Sequence, residues 1–289
     1  MKRATSKDVA RLAGVSQTTV SFVMNNTPGV SLSDETRRRV IEAARELQYI
    51  PNSFAKGLKT SQSRLLGVFL PSMDNPFYPM LMKYIEKYTV GLSYNVMLCC
   101  TYRNPEREKA YLDLCIEKQV DGIIYLFTPN WLKRAVQISH SIPIVLISEK
   151  SDDVPLNTIS MNGFRCGELL ANHLLELGHR RLAYILSPVT SISMTRRMRL
   201  EGIQSAVEKA GLQLPRDLSI CGFDNIYLSA MARPGLTTVD YCTESLCKLA
   251  VDMVLNGTGD SSILKLSSDP QLVVRGSTGP APAKPPRSA

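Results

Sequence analysis

The side chains best suited to chemistry lie on one short segment near the amino terminus. Four of its positions are polar or exposed in a helical pattern: Gln17, Thr18, Ser21 and Phe22. Glutamine can make a bidentate contact with adenine, and threonine or phenylalanine can touch the methyl group of thymine. These residue types therefore favour readout of DNA base edges. The alternative is a small three-helix domain with a solvated polar face.

The charge distribution supports an anionic partner. The 289 residues contain 34 lysines and arginines against 26 aspartates and glutamates, a formal net charge of +8. Residues 1–60 hold ten of the basic and five of the acidic residues, so more than half of the net charge lies there. Such a block favours nucleic acid first and an anionic membrane second. Membrane binding needs a long amphipathic helix, whereas this region shows only short helical patterns.

The elements that position these side chains are three short helices. Ser6 can cap the first helix, and Gly14-Val15-Ser16 forms a tight turn after it. Ser16 can cap the second helix and Ser33 the third. A helix, a four-residue turn and a second helix form the helix-turn-helix arrangement. The second helix of this arrangement presents its first residues to bases in the major groove. We therefore predict an all-α DNA-binding domain over residues 1–48.

The same residues carry a resemblance to a known family. The motif comprises Asp8-Val9-Ala10-Arg11-Leu12-Ala13-Gly14-Val15-Ser16-Gln17-Thr18-Thr19-Val20-Ser21, and then Asn25. It resembles the DNA-binding domain of the lactose-repressor (LacI/GalR) family, and the similarity extends from about residue 5 to residue 278. The resemblance implies a transcription regulator, expected to be a repressor that binds a pseudo-palindromic double-stranded DNA operator as a homodimer.

The resemblance also assigns contacts in the major groove. They are Ser16, Gln17, Thr18, Ser21, Phe22 and Asn25. Phe22 departs from the family's pattern, because many members carry a basic residue there that reads guanine. An aromatic side chain at this position favours an apolar contact instead.

Residues 49–63 resemble the family's hinge, through Tyr49-Ile50-Pro51-Asn52 and the residues that follow. The segment from Asn52 to Leu58 is too short to be a stable helix alone in water. In the family it folds when two copies meet over DNA, and a leucine then wedges between base pairs of the minor groove and kinks the duplex. The corresponding residues are Ala55, Leu58 and Lys59. The alternative is a plain linker with one exposed leucine.

Residues 64–278 alternate between apolar strand patterns and helical patterns. The strand patterns are Leu65–Leu70, Asn95–Cys100, Gly122–Phe127 and Ile142–Ile147, and a second set begins at Ile159. Continuous apolar runs are typical of parallel strands buried on both faces, and their alternation with helices predicts a doubly wound α/β sheet. The region resembles the family's effector-binding and dimerisation domain, whose two lobes are similar to periplasmic sugar-binding proteins.

Ligands of such sheets bind beyond the carboxyl ends of the strands. The candidates there are Asn75 and Phe77, after the first strand, and Asp224, after a later one. Arg199 is added by the resemblance, because it lies three residues before Gly202, where the family presents an arginine to a sugar or purine effector. The alternative for Asn75 and Phe77 is a proline turn with core aromatics.

The remaining signals predict a binding protein and not an enzyme. The seven cysteines contain no C-x-x-C pair and the three histidines have no metal-ligand spacing, so no metal or cofactor is expected. Motifs such as G-x-S-x-G and H-E-x-x-H are absent from the sequence. No apolar run approaches the roughly 18 residues of a membrane span and no signal segment is recognisable, which predicts a cytoplasmic protein. The alternative function is a cytoplasmic sugar-type binding protein without regulatory DNA function.

The second lobe is expected to be incomplete near residues 212–214. Gly211-Leu212 reads as the end of a helix, and Leu214-Pro215 leads directly towards the next strand. The family has about two further β-α units between such elements, on the order of 50 residues. We predict an internal deletion that impairs the effector response; the alternative is an unusual but intact member. Residues 279–289 contain four prolines and no large apolar residue, and are predicted to form a disordered tail.

Overall fold

A computed structural model provides the structure of the chain. It describes residues 4–27, 29–50, 62–148, 154–179, 205, 221–232, 234–257 and 263–281. The chain divides into two compact units, Met1–Ser63 and Arg64–Ala289. The junction at 212–214 lies outside the described residues.

Three helices form the described part of the first unit. They are α1 (Ser6–Ala13), α2 (Gln17–Met24) and α3 (Asp34–Glu46). Val9, Val20 and Val40, one from each helix, are almost completely buried in a common core. Gly14 ends α1 in the left-handed region, with φ of +64°, where a residue without Cβ is unstrained. The predicted helix-turn-helix arrangement is confirmed.

The first cap is a correction to the sequence analysis. Thr5, and not Ser6, is the N-cap residue of α1. The backbone N–H of Asp8 donates to Thr5 Oγ1 over 3.3 Å, and the backbone N–H of Thr5 donates to Asp8 Oδ2 over 3.0 Å. This reciprocal capping box needs an acidic side chain three residues after the cap, which Thr5 has and Ser6 lacks.

The second unit is built on a six-stranded parallel sheet. In the order in which they lie side by side, its strands are β2 (Asn95–Cys100), β1 (Leu65–Leu70), β3 (Gly122–Tyr125), β4 (Ile144–Ser148), β5 (Asn157–Met161) and β8 (Lys265–Ser268). The helices between them are α4 (Phe77–Gly91), α5 (Pro105–Glu117) and α6 (Leu132–Ser139). β1 and β3 are buried on both faces, as their apolar runs predicted.

A smaller sheet forms the rest of the described second unit. It contains β6 (Gly222–Phe223), β7 (Thr238–Asp240) and β9 (Gln271–Val273), with β6 parallel and β9 antiparallel to β7. The other described helices of the second unit are α7 (Gly163–Glu176), α8 (Tyr227–Met231) and α9 (Thr243–Asn256). α7 packs on β7 and β9 of the smaller sheet, whereas α9 packs on α4 and on β3 and β4 of the larger sheet.

The strand at Ile159 is a second correction. The sequence pattern made it the first strand of the second set, but β5 pairs with β4, and Val145 faces Asn157 in the register. β8, more than a hundred residues later, pairs with β5 on its other side. Strand pairing depends on contacts far apart in the chain, and the pattern of a single strand does not report them.

A buried carboxylate fixes the loop that follows β3. Glu108, on α5, is fully buried and accepts hydrogen bonds from Asn130 N (3.2 Å), Asn130 Nδ2 (2.7 Å) and Trp131 N (3.2 Å). Trp131 is the N-cap residue of α6, so the carboxylate also lies at the positive end of that helix. Burial and the nearby Glu108 charge raise the pKa of Tyr125. Sequence reasoning did not identify Glu108, because its partners come from another element.

The start of the predicted tail contacts α7. Ala281 N donates to Leu177 O over 2.8 Å, and His179 Nε2 lies 2.9 Å from Gly279 O. Residues 282–289 lie outside the described residues.

Candidate nucleic-acid interface and effector site

The first turn of α2 presents two uncharged polar side chains. Gln17 and Thr18 are exposed, whereas Val20 retains 1% exposure and faces the core. Ser16 is the N-cap residue, and its Oγ accepts the backbone N–H of Thr19 over 3.1 Å. The cap therefore fixes the end of α2 at which Gln17 and Thr18 stand.

The second turn of α2 holds the other predicted base contacts. Asn25 Nδ2 donates to Ser21 O over 2.9 Å and to Ser21 Oγ over 3.3 Å, so these two side chains are brought together. Phe22 is half-buried. The structure thus places all six predicted major-groove residues on α2 or at its two caps.

In the described part of the first unit, the cations lie on α1 and α3. α2 contains no charged residue. Lys7 on α1 and Arg38, Arg39 and Arg45 on α3 are exposed. Arg11 pairs with Asp8 over 2.7 Å, and Arg37 Nη1 donates to Asn26 Oδ1 over 3.2 Å. An uncharged helix flanked by helices with exposed cations suits base contacts on α2 and phosphate contacts on both sides of it.

The predicted hinge contacts Ala55, Leu58 and Lys59, and the effector residue Arg199, lie outside the described residues. Among the described residues, no helix is long and apolar enough to cross a membrane. The described part of the chain also contains no group of three His, Cys, Asp or Glu side chains placed to hold a metal ion.

Asn75 and Phe77 lie at the carboxyl end of β1, as predicted. Asn75 Oδ1 accepts the backbone N–H of Phe77 over 3.1 Å at the start of α4. The Phe77 ring retains 6% exposure and packs edge-on against Tyr78 and Tyr241, with centroid distances of 5.7 and 5.9 Å. In this structure Phe77 is therefore a core aromatic at the rim of the sheet.

Asp224 follows β6 in a strained turn. Its φ is +80° and that of Asn225 is +43°, two consecutive left-handed residues that are not glycine. Such residues cost on the order of 1–3 kcal/mol each and cluster at functional sites. Asn225 Nδ2 donates to Asp240 Oδ2 over 2.8 Å, and Asn225 Oδ1 accepts from Arg275 Nη2 over 2.7 Å. Sequence reasoning missed Asn225, Asp240 and Arg275; the tolerance of Asp and Asn for this backbone region was the available signal.

A series of contacts links the candidate residue Phe77, after β1, with the turn that carries Asp224, after β6. Phe77 touches Tyr241, and Asp240, the preceding residue, bonds to Asn225 beside Asp224. Parallel strands β6 and β7 end at this edge, where ligands of α/β sheets bind.

Comparison with known proteins gives the family. Residues 5–52 match the protein family described as "Bacterial regulatory proteins, lacI family". Residues 63–228 match the family described as "Periplasmic binding proteins and sugar binding domain of LacI family". The chain belongs to the LacI family. Residues 195–278 of this LacI-family chain match a third family, described as "Periplasmic binding protein-like domain".

Similar LacI-family proteins are transcriptional regulators. The HTH-type transcriptional repressor PurR of Edwardsiella ictaluri (strain 93-146) is 30% identical, over 88% of this chain and 90% of its own. The ribose operon repressor of Escherichia coli (strain K12) is 28% identical, over 95% and 99%. The solved structure of the Lac repressor bound to ONPG in the repressed state superposes with a TM-score of 0.78 at 25% identity, covering 96% of this chain and all of that one. The predicted family and two-part fold are confirmed.

The alignment lengths show a difference in size. The alignment with the ribose operon repressor extends over 332 positions, whereas 95% of 289 residues is about 275. The relative therefore fills about 57 positions at which this chain has no residue.

Proposed function

We propose that this protein is a sequence-specific transcriptional repressor that binds a pseudo-palindromic operator as a homodimer. The observation that carries the proposal is the capped first turn of α2, which exposes Gln17 and Thr18 on an uncharged helix flanked in the chain by two helices with exposed cations. Ser16, Ser21 and Asn25 complete the contacts with the major groove. A regulator of bacterial genes acts on DNA in the cytoplasm, and the proposal includes no catalytic step and no cofactor.

Selection of bound duplexes from a random DNA pool tests this proposal directly. We expect an enriched sequence with two related half-sites. Salt-insensitive binding without sequence preference would contradict the proposal. Complete lack of DNA binding by a folded protein would instead favour a small-molecule binding protein without regulatory DNA function.

Phe22 gives the proposed operator a distinguishing feature. It occupies the position at which many relatives carry a basic residue, and it is half-buried on α2. A phenylalanine offers no donor to guanine, but its ring can contact a thymine methyl. We expect thymine at the corresponding step of each selected half-site.

The hinge supplies the contacts with the minor groove. In this proposal Leu58 inserts between base pairs, with Ala55 and Lys59 on either side, and the inserted apolar wedge kinks the duplex. Because two hinges meet over the operator centre, dimerisation and DNA bending occur together.

The proposed effector is a sugar-like or purine-like small molecule that binds between the two lobes, at Asn75, Phe77, Arg199 and Asp224. Effector binding and DNA binding are then coupled reciprocally. We also propose that an internal deletion near residues 212–214 weakens the response. The 57 positions that the ribose operon repressor fills and this chain lacks support the deletion, since about two β-α units need on the order of 50 residues.

A further inference from the structure

We propose that Arg275 is a positioning residue for the effector site, because its guanidinium holds the strained turn that carries Asp224. The inference rests on the proposed effector-binding function of Asp224. Arg275 follows β9, lies far from Asp224 in the chain, and is half-buried.

The guanidinium bonds to three groups around the turn. Its Nη2 donates to Asn225 Oδ1 over 2.7 Å. Its Nη1 donates to Leu236 O over 2.7 Å and to Ser229 Oγ over 3.1 Å. The acceptors belong to the turn after β6, to the second residue before β7 and to α8. One planar fork thus ties three segments together, which a single ammonium nitrogen cannot do in the same geometry.

The backbone of Arg275 adds a further restraint. Its N–H donates to Thr237 Oγ1 over 2.9 Å, and the same hydroxyl donates to Arg275 O over 3.1 Å. Gly235 leaves space for the aliphatic part of the side chain, since a Cβ at that position would lie 3.1 Å from Arg275 Cδ. The backbone of Arg275 is therefore held in place by Thr237, and its guanidinium extends from there to Asn225.

Asn225 is connected to the six-stranded sheet through further hydrogen bonds and through α9. Asn225 Nδ2 donates to Asp240 Oδ2, while Asp240 Oδ1 accepts from Thr243 N over 3.2 Å at the start of α9. α9 packs on β3 and β4. Two consecutive left-handed residues persist only where surrounding contacts over-determine them. Arg275 and Asp240 supply two of those contacts, one on each polar atom of the Asn225 side-chain amide, and Asn225 N also donates to Thr238 Oγ1 over 3.3 Å.

Amide hydrogen exchange on the full-length protein tests the inference without any ligand. We compare Arg275→Gln, which removes the charge, with Arg275→Lys. Lysine keeps the charge and an aliphatic side chain but lacks the planar guanidinium with its several donors. Both are expected to raise exchange in the segment 222–226 at least tenfold, while β1, β3 and β4 stay within twofold of the wild type. Arg165→Gln is the matched control, because Arg165 is an exposed α7 residue paired only weakly with Glu168 at 3.6 Å.

Binding of D-ribose and hypoxanthine at millimolar concentration gives the second readout. A probe bound by the wild type is expected to bind both Arg275 variants at least tenfold more weakly, and Arg165→Gln normally. Unchanged exchange at 222–226, an equal rise throughout the second unit, full rescue by lysine, or unchanged affinity for a bound probe would each overturn the positioning role. If the wild type binds neither probe, the exchange result alone decides on Arg275, because the proposed deletion already predicts weak effector binding.

Discussion

The rings of Phe77 and Tyr241 meet edge to face, with centroids 5.9 Å apart and an interplanar angle of 70°. Phe77 begins α4 at the end of β1, and Tyr241 follows β7, so the contact joins the two sheets at their carboxyl edges. Tyr241 is fully buried, and Asp240 beside it bonds to Asn225. The Asp224 turn and the start of α4 are therefore linked through a hydrogen bond and a packed aromatic pair.

Replacing Gln17 or Thr18 by alanine should change base preference and leave the fold intact. Both side chains are exposed at the start of α2, and a good base-edge contact discriminates by about 1–3 kcal/mol. Competition between operator variants, each altered at one step, measures the change. Glu46→Gln, an exposed change on α3, is the control and should keep the wild-type preference. An identical ranking of operators for all three variants would contradict the assignment of α2.

Arg38→Ala should weaken binding to every duplex by a similar factor. Arg38 is exposed on α3, and a phosphate contact adds affinity without sequence information. The slope of log affinity against log salt concentration should become shallower by about one unit. Titrations of the selected operator and of a scrambled duplex at several salt concentrations measure both effects. A loss confined to the operator would show that Arg38 reads bases.

Leu58→Ala should lose most of the operator affinity and most of the DNA bending. The expected cause is the loss of an apolar wedge, because alanine is too short to separate stacked base pairs. Leu12→Ala is the matched control, since Leu12 is a 48%-exposed leucine on α1. Thermal unfolding should be similar for both variants and the wild type. Equal bending and affinity for wild type and Leu58→Ala would exclude the wedge.

Calorimetry against sugars, nucleosides and purines should show binding weaker than micromolar, with little change in operator affinity. The proposed loss of two β-α units would remove backbone partners and apolar cover from the second lobe, so fewer groups would distinguish its open and closed states. A ligand without differential affinity for the two states shifts no population. Micromolar binding with a matching change in operator affinity would show that the shortened lobe is functional.

Gly122→Ala should destabilise the second unit by about 1–3 kcal/mol, as overpacking of a core does. A Cβ at this position would lie 2.5 Å from Val254 Cγ2 and 3.4 Å from Val254 O. Urea unfolding measures the loss, and adding Val254→Ala should recover part of it by removing the nearest methyl group. Gly91→Ala is the control, because a Cβ there meets nothing within 4 Å. Equal stability of the two single alanine variants would refute the close contact of β3 with α9.

Local interactions were sufficient to predict the three described helices of the first unit. Caps, the Gly14 turn and the apolar positions of each helix act within a few residues, so the sequence alone predicted α1, α2 and α3 and the side chains exposed on α2. The same holds for β1 and β2, whose bounds agree with their predicted strand patterns. Even here the cap of α1 was misplaced by one residue, because a capping box depends on two side chains together.

Tertiary structure decided which of these elements meet. The pairing of β5 with β4 and β8, the burial of Glu108 against Asn130, and the bonds from Arg275 through Asn225 to Asp240 join residues that are distant in the chain. An isolated arginine or asparagine has no pattern that reveals its partner, since hydrogen bonds depend on distance and direction in space. The sequence by itself therefore predicted the family, the helix-turn-helix arrangement and the strand ends at which we propose that the effector binds. Only the folded chain determined the contacts that hold Asp224 in its turn.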